Sequence, residues 1–542
     1  MANGKLLPTL ICCLLILQMG VAQDRYMVFF SDKNNSPFAV DQPADFLSAR
    51  SIERRQKQGI SVVTQDLPVN ASYIQQVAAT GAAVYFSSRW MNAVLVEAVA
   101  TQLDAINLLT FVDSTQYVAK GTRLLSSPTG YTVPTVFAPP VASGSTSDLQ
   151  VGMLDVDNMH LDGYRGENMV IAVLDGGFMG ADQYQVLEKI HTENRLLDVQ
   201  DFVRNSGDPF QYSGHGTSVL STMAAEYTGF TGTAPKAAYL LYVTEDVASE
   251  YRIEEYNWLF AAERADSAGA DIIHTSVGYR DFTDATMNYQ YADLNGQTAV
   301  ITRAANLAFE RGMVVVTSAG NEGNSSVWPY VTYPADGNFI LAVGSITSSY
   351  QKSSFSSIGP TADGRVKPDV MALGTQTTIL SADGFIGMSN GTSYSAPLVS
   401  GFVAGLWQAH PEWTNRDVVN TVRMTSSRAL QPDMEYGYGV PSYRNAVLGN
   451  VLSVNKILNE NVTVYPNPFY GTRVFISLEP QLSYPLEVWI FDEGGSLVAH
   501  QIFKEFPGSQ SVEMDLGTVS PGMYLMKLTS GEFNKHVKLI KY

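Results

Sequence analysis

Beyond Cys13 the chain has no cysteine. That absence excludes disulfides, a thiol nucleophile and thiolate-bound metal from everything after the leading segment. Basic residues are scarce as well: 34 Lys and Arg stand against 52 Asp and Glu, a formal charge of -18. Such a balance repels phosphate backbones and anionic lipid headgroups, so nucleic acid is excluded as a partner. Charged side chains make up only 16% of the 542 residues and hydrophobic ones 45%, which argues against a disordered or coiled-coil chain. Past the leader, no apolar run reaches the roughly 20 residues that a spanning helix needs, so no transmembrane segment is expected.

What is there first is a leader. Residues 1–22 place Lys5 before an apolar run over 6–19 and end in small residues at Val21 and Ala22, the pattern of a secretory signal peptide. Both cysteines fall inside it. From 25 to 118 strand-like runs (RYMVFF, AVYFSSRWMNAVLVEAV) alternate with short helical stretches, which predicts a small α+β unit. Within it, Arg54-Arg55 reads as a solvated helix face rather than a processing signal. Residues 119–150 are rich in Pro, Ser, Thr and Gly and read as an exposed linker. Between 151 and 449 the runs MVIAVLD, AAYLLYV, ADIIHTSVG, GMVVVTSAGN and FILAVGSI recur with helical patterns between them, which predicts a parallel sheet with helices on both faces. From 461 to 542 the texture changes to short β runs with regular turns, an all-β sandwich.

Four residues in the α/β region could carry chemistry. Asp175 ends an apolar strand before two glycines, where open parallel sheets gather their sites. His215 stands between glycines at the start of a small-residue helix, Ser393 opens another such helix just after Gly391, and Asn321 follows Gly320 beyond a further strand. Each alone has a plainer reading: Asp175 as a turn or cap, His215 as a structural histidine, Ser393 as an N-cap, Asn321 as a turn residue. Pro397 sits close enough to the start of the Ser393 helix that its missing N–H is expected to cost little. Together they supply an acid, a base, a nucleophile and an amide donor in one predicted sheet domain, with Asp, His and Ser in that chain order. A lipase or esterase reading fits less well, because the G-x-S-x-G pattern is broken by Ser395.

The segments DGG, GHGTS, SAGNEG and GTSYSAP resemble the signature segments of the subtilisin-like serine peptidases, the subtilases. The resemblance implies a subtilisin-like α/β fold, preceded by a small α+β propeptide and followed by the β-sandwich, and a secreted endopeptidase. By it, Asp175, His215 and Ser393 form the catalytic triad and Asn321 donates to the oxyanion. Ser276, Val277 and Gly278 pair with an extended substrate, and Ala319 and Gly320 line the specificity pocket. Two positions depart from the pattern. Gly176 stands where Ser or Thr is common, which removes one hydrogen bond to Asp175. His274 stands where Asn is common and is expected to be buried and satisfied.

Residues 25–118 resemble a subtilase propeptide, which implies an inhibitor of its own enzyme. YPNPF, PGMYLMKL and KLIKY resemble a type IX secretion sorting domain, which implies export to the outside or the cell surface. The expected partners are protein or peptide substrates, the propeptide and that secretion machinery. No cofactor is required; exported subtilases often carry structural calcium, but no Asp/Asn-rich loop with ligand spacing assigns one, and no metal is predicted.

Overall fold

Seven parallel strands form the central sheet, in the order Val370–Leu373, Leu341–Ile346, Val314–Ser318, Ile272–Thr275, Val170–Asp175, Ala238–Val243, Leu196–Asp201. The computed structural model describes residues 23–121, 136–142, 144, 146–452, 461–479, 485–492, 496–504, 511–530 and 533–541. The expected signal peptide lies outside them. Every residue of Val170–Asp175 is buried, as a strand covered on both faces requires. On one face the helices His215–Ala224 and Thr392–Ala409 pack Val219, Leu220, Met223, Leu398, Val399 and Phe402 against it. On the other lie Ile253–Ala268 and Val300–Glu310, with Trp258, Leu259, Ile301 and Ala305. Among the described residues no helix is long and apolar enough to cross a membrane.

The N-terminal unit is a four-stranded antiparallel sheet, in the order Ala83–Ser88, Ala93–Ala98, Asp24–Phe30, Val112–Lys120, with three α-helices. Its own core gathers Val28, Val77, Val94, Val96 and Ile106. The other face of the sheet is not solvated. Met27, Trp90, Leu95 and Val118 join the apolar cluster that also holds Trp258 and Leu259.

Charge pairs join the two parts as well. Asp266, fully buried on the Ile253–Ala268 helix, accepts from Arg54, from Arg55 at 2.7 Å and from Arg89. Asp66 is held by Arg55 at 3.0 Å and by Arg311 at 3.1 Å. Glu263 accepts the backbone N–H groups of Arg89 at 2.8 Å and Trp90 at 3.2 Å. Arg54 and Arg55 are therefore not a solvated face: both are buried, at 5% and 1% exposure. The helix Ala49–Lys57 turns both onto Asp266, more than 200 positions away, a pairing that no local charge pattern reveals.

The linker reading also needs correction. Val141 and Ala142 pair in parallel with Phe385 and Ile386, and Asp148–Gly152 is helical. Gln150 is buried and its amide brackets Thr378, donating to its carbonyl at 3.1 Å and accepting from its N–H at 2.8 Å. A side-chain amide can thus extend a ladder as a backbone would. The catalytic body therefore begins upstream of residue 151, and of the stretch 119–150 the central part, 122–135, falls outside the described residues.

The chain divides into two compact units between Val451 and Leu452. The second holds two antiparallel sheets: Asn461–Tyr465, Arg473–Glu479, Ser511–Asp515, and Leu497–Phe503, Leu486–Asp492, Gly522–Ser530, Phe533–Lys541. Alternate residues of both, among them Val474, Ile476, Val488, Ile490, Met526 and Leu528, share one core, which makes the unit a β-sandwich.

Candidate active site

The strand Val170–Asp175 comes first in the sheet region of the sequence but lies inside the sheet. The chain builds outward from it on one side through Ala238–Val243 and on the other through Ile272–Thr275. Such a switch in direction opens a crevice at the carboxyl ends of the strands. Asp175 sits at that end, fully buried. His215 is the first residue of its helix, and Gly216 lets that helix start against the Asp175 turn: its N–H donates to the Gly177 carbonyl at 2.9 Å. A Cβ at Gly216 would come within 2.5 Å of that oxygen.

The imidazole Nδ1 lies 2.8 Å from Asp175 Oδ1. Its Nε2 consequently points away from Asp175, toward the cleft. The Gly176 N–H donates to the same Oδ1 at 2.8 Å, while Oδ2 is buried without a protein partner. Burial opposes protonation of His215, but the Asp175 charge and hydrogen bond, helped by Glu245, outweigh it and raise the imidazole to about 9.

Ser393 is the second residue of Thr392–Ala409, so its N–H has no acceptor within the helix. In the rotamer present its hydroxyl donates to the Ser276 carbonyl at 3.4 Å, and no hydrogen bond joins it to His215. The next side chain, Tyr394, lies with its ring 6.1 Å from the imidazole. Asn321 Oδ1 accepts from the Thr392 N–H at 2.9 Å and from its hydroxyl at 3.0 Å. Because an N–H can only donate, the oxygen must face Thr392, and the amide NH2 is left to the other side. Gly320 precedes it with φ 105, a left-handed conformation, and a Cβ there would meet Thr332 and Ser357 at 2.9 Å.

A cleft of about 390 Å³ is lined by Asp175, His215, Asn321 and Gly320, by Ser276, Val277 and Gly278, and by Ser213, Glu245, Ser318, Glu322 and Thr332 among others. Of the expected pocket pair only Gly320 reaches it. Ala319 is fully buried in the apolar core, its N–H bonded to Val343 and its carbonyl to Thr332. Glu245 is a cleft residue that no motif announced: it is one acid after an apolar strand. Burial first, then the Asp175 and Glu250 charges, push its carboxyl up to about 7. His274, as expected, is buried and satisfied, between Ser400 at 2.8 Å and Ser276 at 2.9 Å. Among the described residues no group of three or more His, Cys, Asp or Glu is arranged to hold a metal ion.

Residues 166–439 match the Subtilase family, residues 25–130 the Peptidase S8 propeptide domain of Bacteroidota, and residues 463–542 the Secretion system C-terminal sorting domain. Subtilisin NAT of Bacillus subtilis subsp. natto is 32% identical over 295 residues, which cover 54% of this chain and 68% of that protein. Subtilisin of Bacillus pumilus is 32% identical over 54% of this chain and 94% of its own. A crystal structure of MycP1 from the ESX-1 type VII secretion system superposes with a TM-score of 0.45 at 22% identity, over 60% of this chain and 94% of that one. The chain belongs to the subtilase family: it is a subtilisin-like serine endopeptidase that carries its own propeptide domain and a C-terminal sorting domain.

Proposed function

We propose that the enzyme cleaves peptide bonds through an acyl-enzyme formed on Ser393, with His215 as general base and Asp175 as its orienting acid. The observation that carries this reading is the 2.8 Å contact of Asp175 with His215 Nδ1, which leaves Nε2 to serve as the base, with Tyr394, the residue after Ser393, 6.1 Å ring to ring from the imidazole. Rotation about the Ser393 Cα–Cβ bond turns the hydroxyl from the Ser276 carbonyl toward that nitrogen; such bonds tighten when substrate binds. Ser393 Oγ attacks the scissile carbonyl as His215 Nε2 takes its proton, and Asp175 stabilises the resulting imidazolium. The Ser393 N–H and the Asn321 amide receive the developing oxyanion. His215 then returns the proton to the leaving amine, and water, activated the same way, frees the acyl group.

The backbone of Ser276–Gly278, which lines the cleft, pairs with the substrate as an added strand. An N-terminal signal peptide carries the chain across the inner membrane, and the sorting domain takes it through a type IX route to the outside or the cell surface. The propeptide, clamped on its helix face, keeps the enzyme inactive until it is removed. The test is a serine-directed organophosphonate on the matured enzyme, with peptide mapping and a casein digest. Label on Ser393 together with loss of casein cleavage is the expected result; label elsewhere, or ester hydrolysis without proteolysis, overturns it.

A further inference from the structure

Behind the nucleophile a strand end and a helix meet on a buried imidazole. His274, in the strand Ile272–Thr275, is fully buried, with Nδ1 2.8 Å from Ser400 Oγ and Nε2 2.9 Å from Ser276 Oγ. Ser276 Oγ in turn donates to the Ser393 carbonyl oxygen at 2.9 Å. That carbonyl has an unusual need. In a regular helix it accepts from the N–H four residues on, but here that residue is Pro397, which has none. The missing donor therefore matters at this depth in the helix, contrary to what the sequence alone suggested, and Ser276 replaces it.

The direction of the chain of bonds follows from donor counting. Burial, with a smaller contribution from the His215 charge, lowers the pKa of His274 to about 3, so the ring is neutral and has one donor and one acceptor. Ser276 has a single hydroxyl proton, committed to the Ser393 carbonyl; toward His274 it accepts. The ring proton is thus on Nε2, and Nδ1 accepts from the Ser400 hydroxyl. The other tautomer would draw the Ser276 proton to Nε2 and leave the Ser393 carbonyl with no donor. It would also reverse the Ser400 contact, Nδ1–H donating to Ser400 Oγ and Ser400 donating back to the Ala396 carbonyl at 3.3 Å. Ser400 lies two turns beyond Ser393 on the same helix, so one ring ties the strand to the helix at two points.

We propose that His274 is a positioning residue for the nucleophile: through Ser276 it supplies the hydrogen bond that Pro397 denies the Ser393 carbonyl, and so fixes the helix turn that presents the Ser393 hydroxyl and N–H. The inference rests on Ser393 being the nucleophile. It assigns Ser276 two tasks, its backbone toward substrate and its side chain toward the nucleophile's own peptide unit.

The experiment measures kcat, KM and the rate of organophosphonate labelling for S276A, H274F and H274Q, each with Pro397 present and in a P397A background. Phenylalanine fills the space of the ring without hydrogen bonds, glutamine keeps a donor near the Nε2 position, and alanine at 397 returns an N–H to the helix. S276A and H274F are expected to lower kcat and labelling about tenfold with KM within about twofold, and H274Q to recover most of the loss. In the P397A background the same substitutions should cost less than about twofold, a coupling that general destabilisation does not produce. Equal losses in both backgrounds, or losses confined to KM, overturn the proposal. If H274F does not fold, as judged by its thermal transition, the S276A pair decides alone. Failure of the unaltered enzyme to label at Ser393 would instead remove the nucleophile assignment.

Discussion

The propeptide interface and the rim of the cleft both bury carboxylates, and Asp266 in the one and Glu245 in the other shift in opposite directions, while Glu263 at the interface, held largely by backbone N–H groups, is raised by burial. At the interface, Asp66, Asp266 and Glu263 meet Arg54, Arg55, Arg89, Arg311 and backbone N–H groups. Burial alone would raise the Asp266 carboxyl, but the three arginines around it bring it below its ordinary value. Around the cleft, Glu245 and Glu250 are pushed up to about 7 and neighbouring Glu254 to about 10, chiefly by burial. Compensated charge there builds a joint; uncompensated charge here tunes a reaction.

Four substitutions sharpen or break that contrast. S393A should lower the rate on casein by on the order of a million-fold while leaving the interface intact, as read from initial rates and the urea unfolding curve. D266A strands three buried arginines and should cost about 3–5 kcal/mol in the urea unfolding of the full chain. Because the Asp266 pKa is depressed, the joint it makes persists above the ordinary carboxylate value and is lost as the pH falls through the lowered one. A D266A chain as stable as the parent would refute the account of the joint. N321A should lower kcat by about 3 kcal/mol worth of transition-state stabilisation with little change in KM; a change in KM alone would place the amide in binding instead.

The smallest effect is expected from E245Q. The Glu245 charge helps hold the His215 imidazole protonated, at about 9, and the base must be neutral to act. Removing the charge lowers that value, so the rising limb of the kcat/KM profile should move to lower pH, by less than about one unit because 35% of the His215 side chain is open to solvent. A limb that does not move, or moves upward, separates Glu245 from the base.

What the sequence disclosed depended on how local the chemistry was. GHGTS and GTSYSAP were legible because a reactive side chain beside close-packed backbone demands glycine and small residues within the same few positions. Five strands of the sheet showed as apolar runs; Leu196–Asp201, a partly exposed edge, and Val370–Leu373, at the opposite edge, did not. Arg54 and Arg55 misled because a charge on a helix does not say what it faces. Ser276 and Pro397 could be read singly, but their compensation exists only once strand and helix are in register. Ala319 was misplaced for a similar reason, since whether the residue just after a strand faces core or cleft depends on its neighbours.

The bracket that Gln150 places on Thr378 bears on the fate of the enzyme once it is activated. A cut anywhere between 122 and 135 would sever the N-terminal unit from the rest of the chain yet leave the new leading end stitched down from Ala138 onward, by its bonds to Gln183 and Gln185 and by the pairing of Val141 with Phe385. An exopeptidase nibbling from that end would meet anchored backbone within a few residues, so the released protease resists trimming at the seam where it was opened.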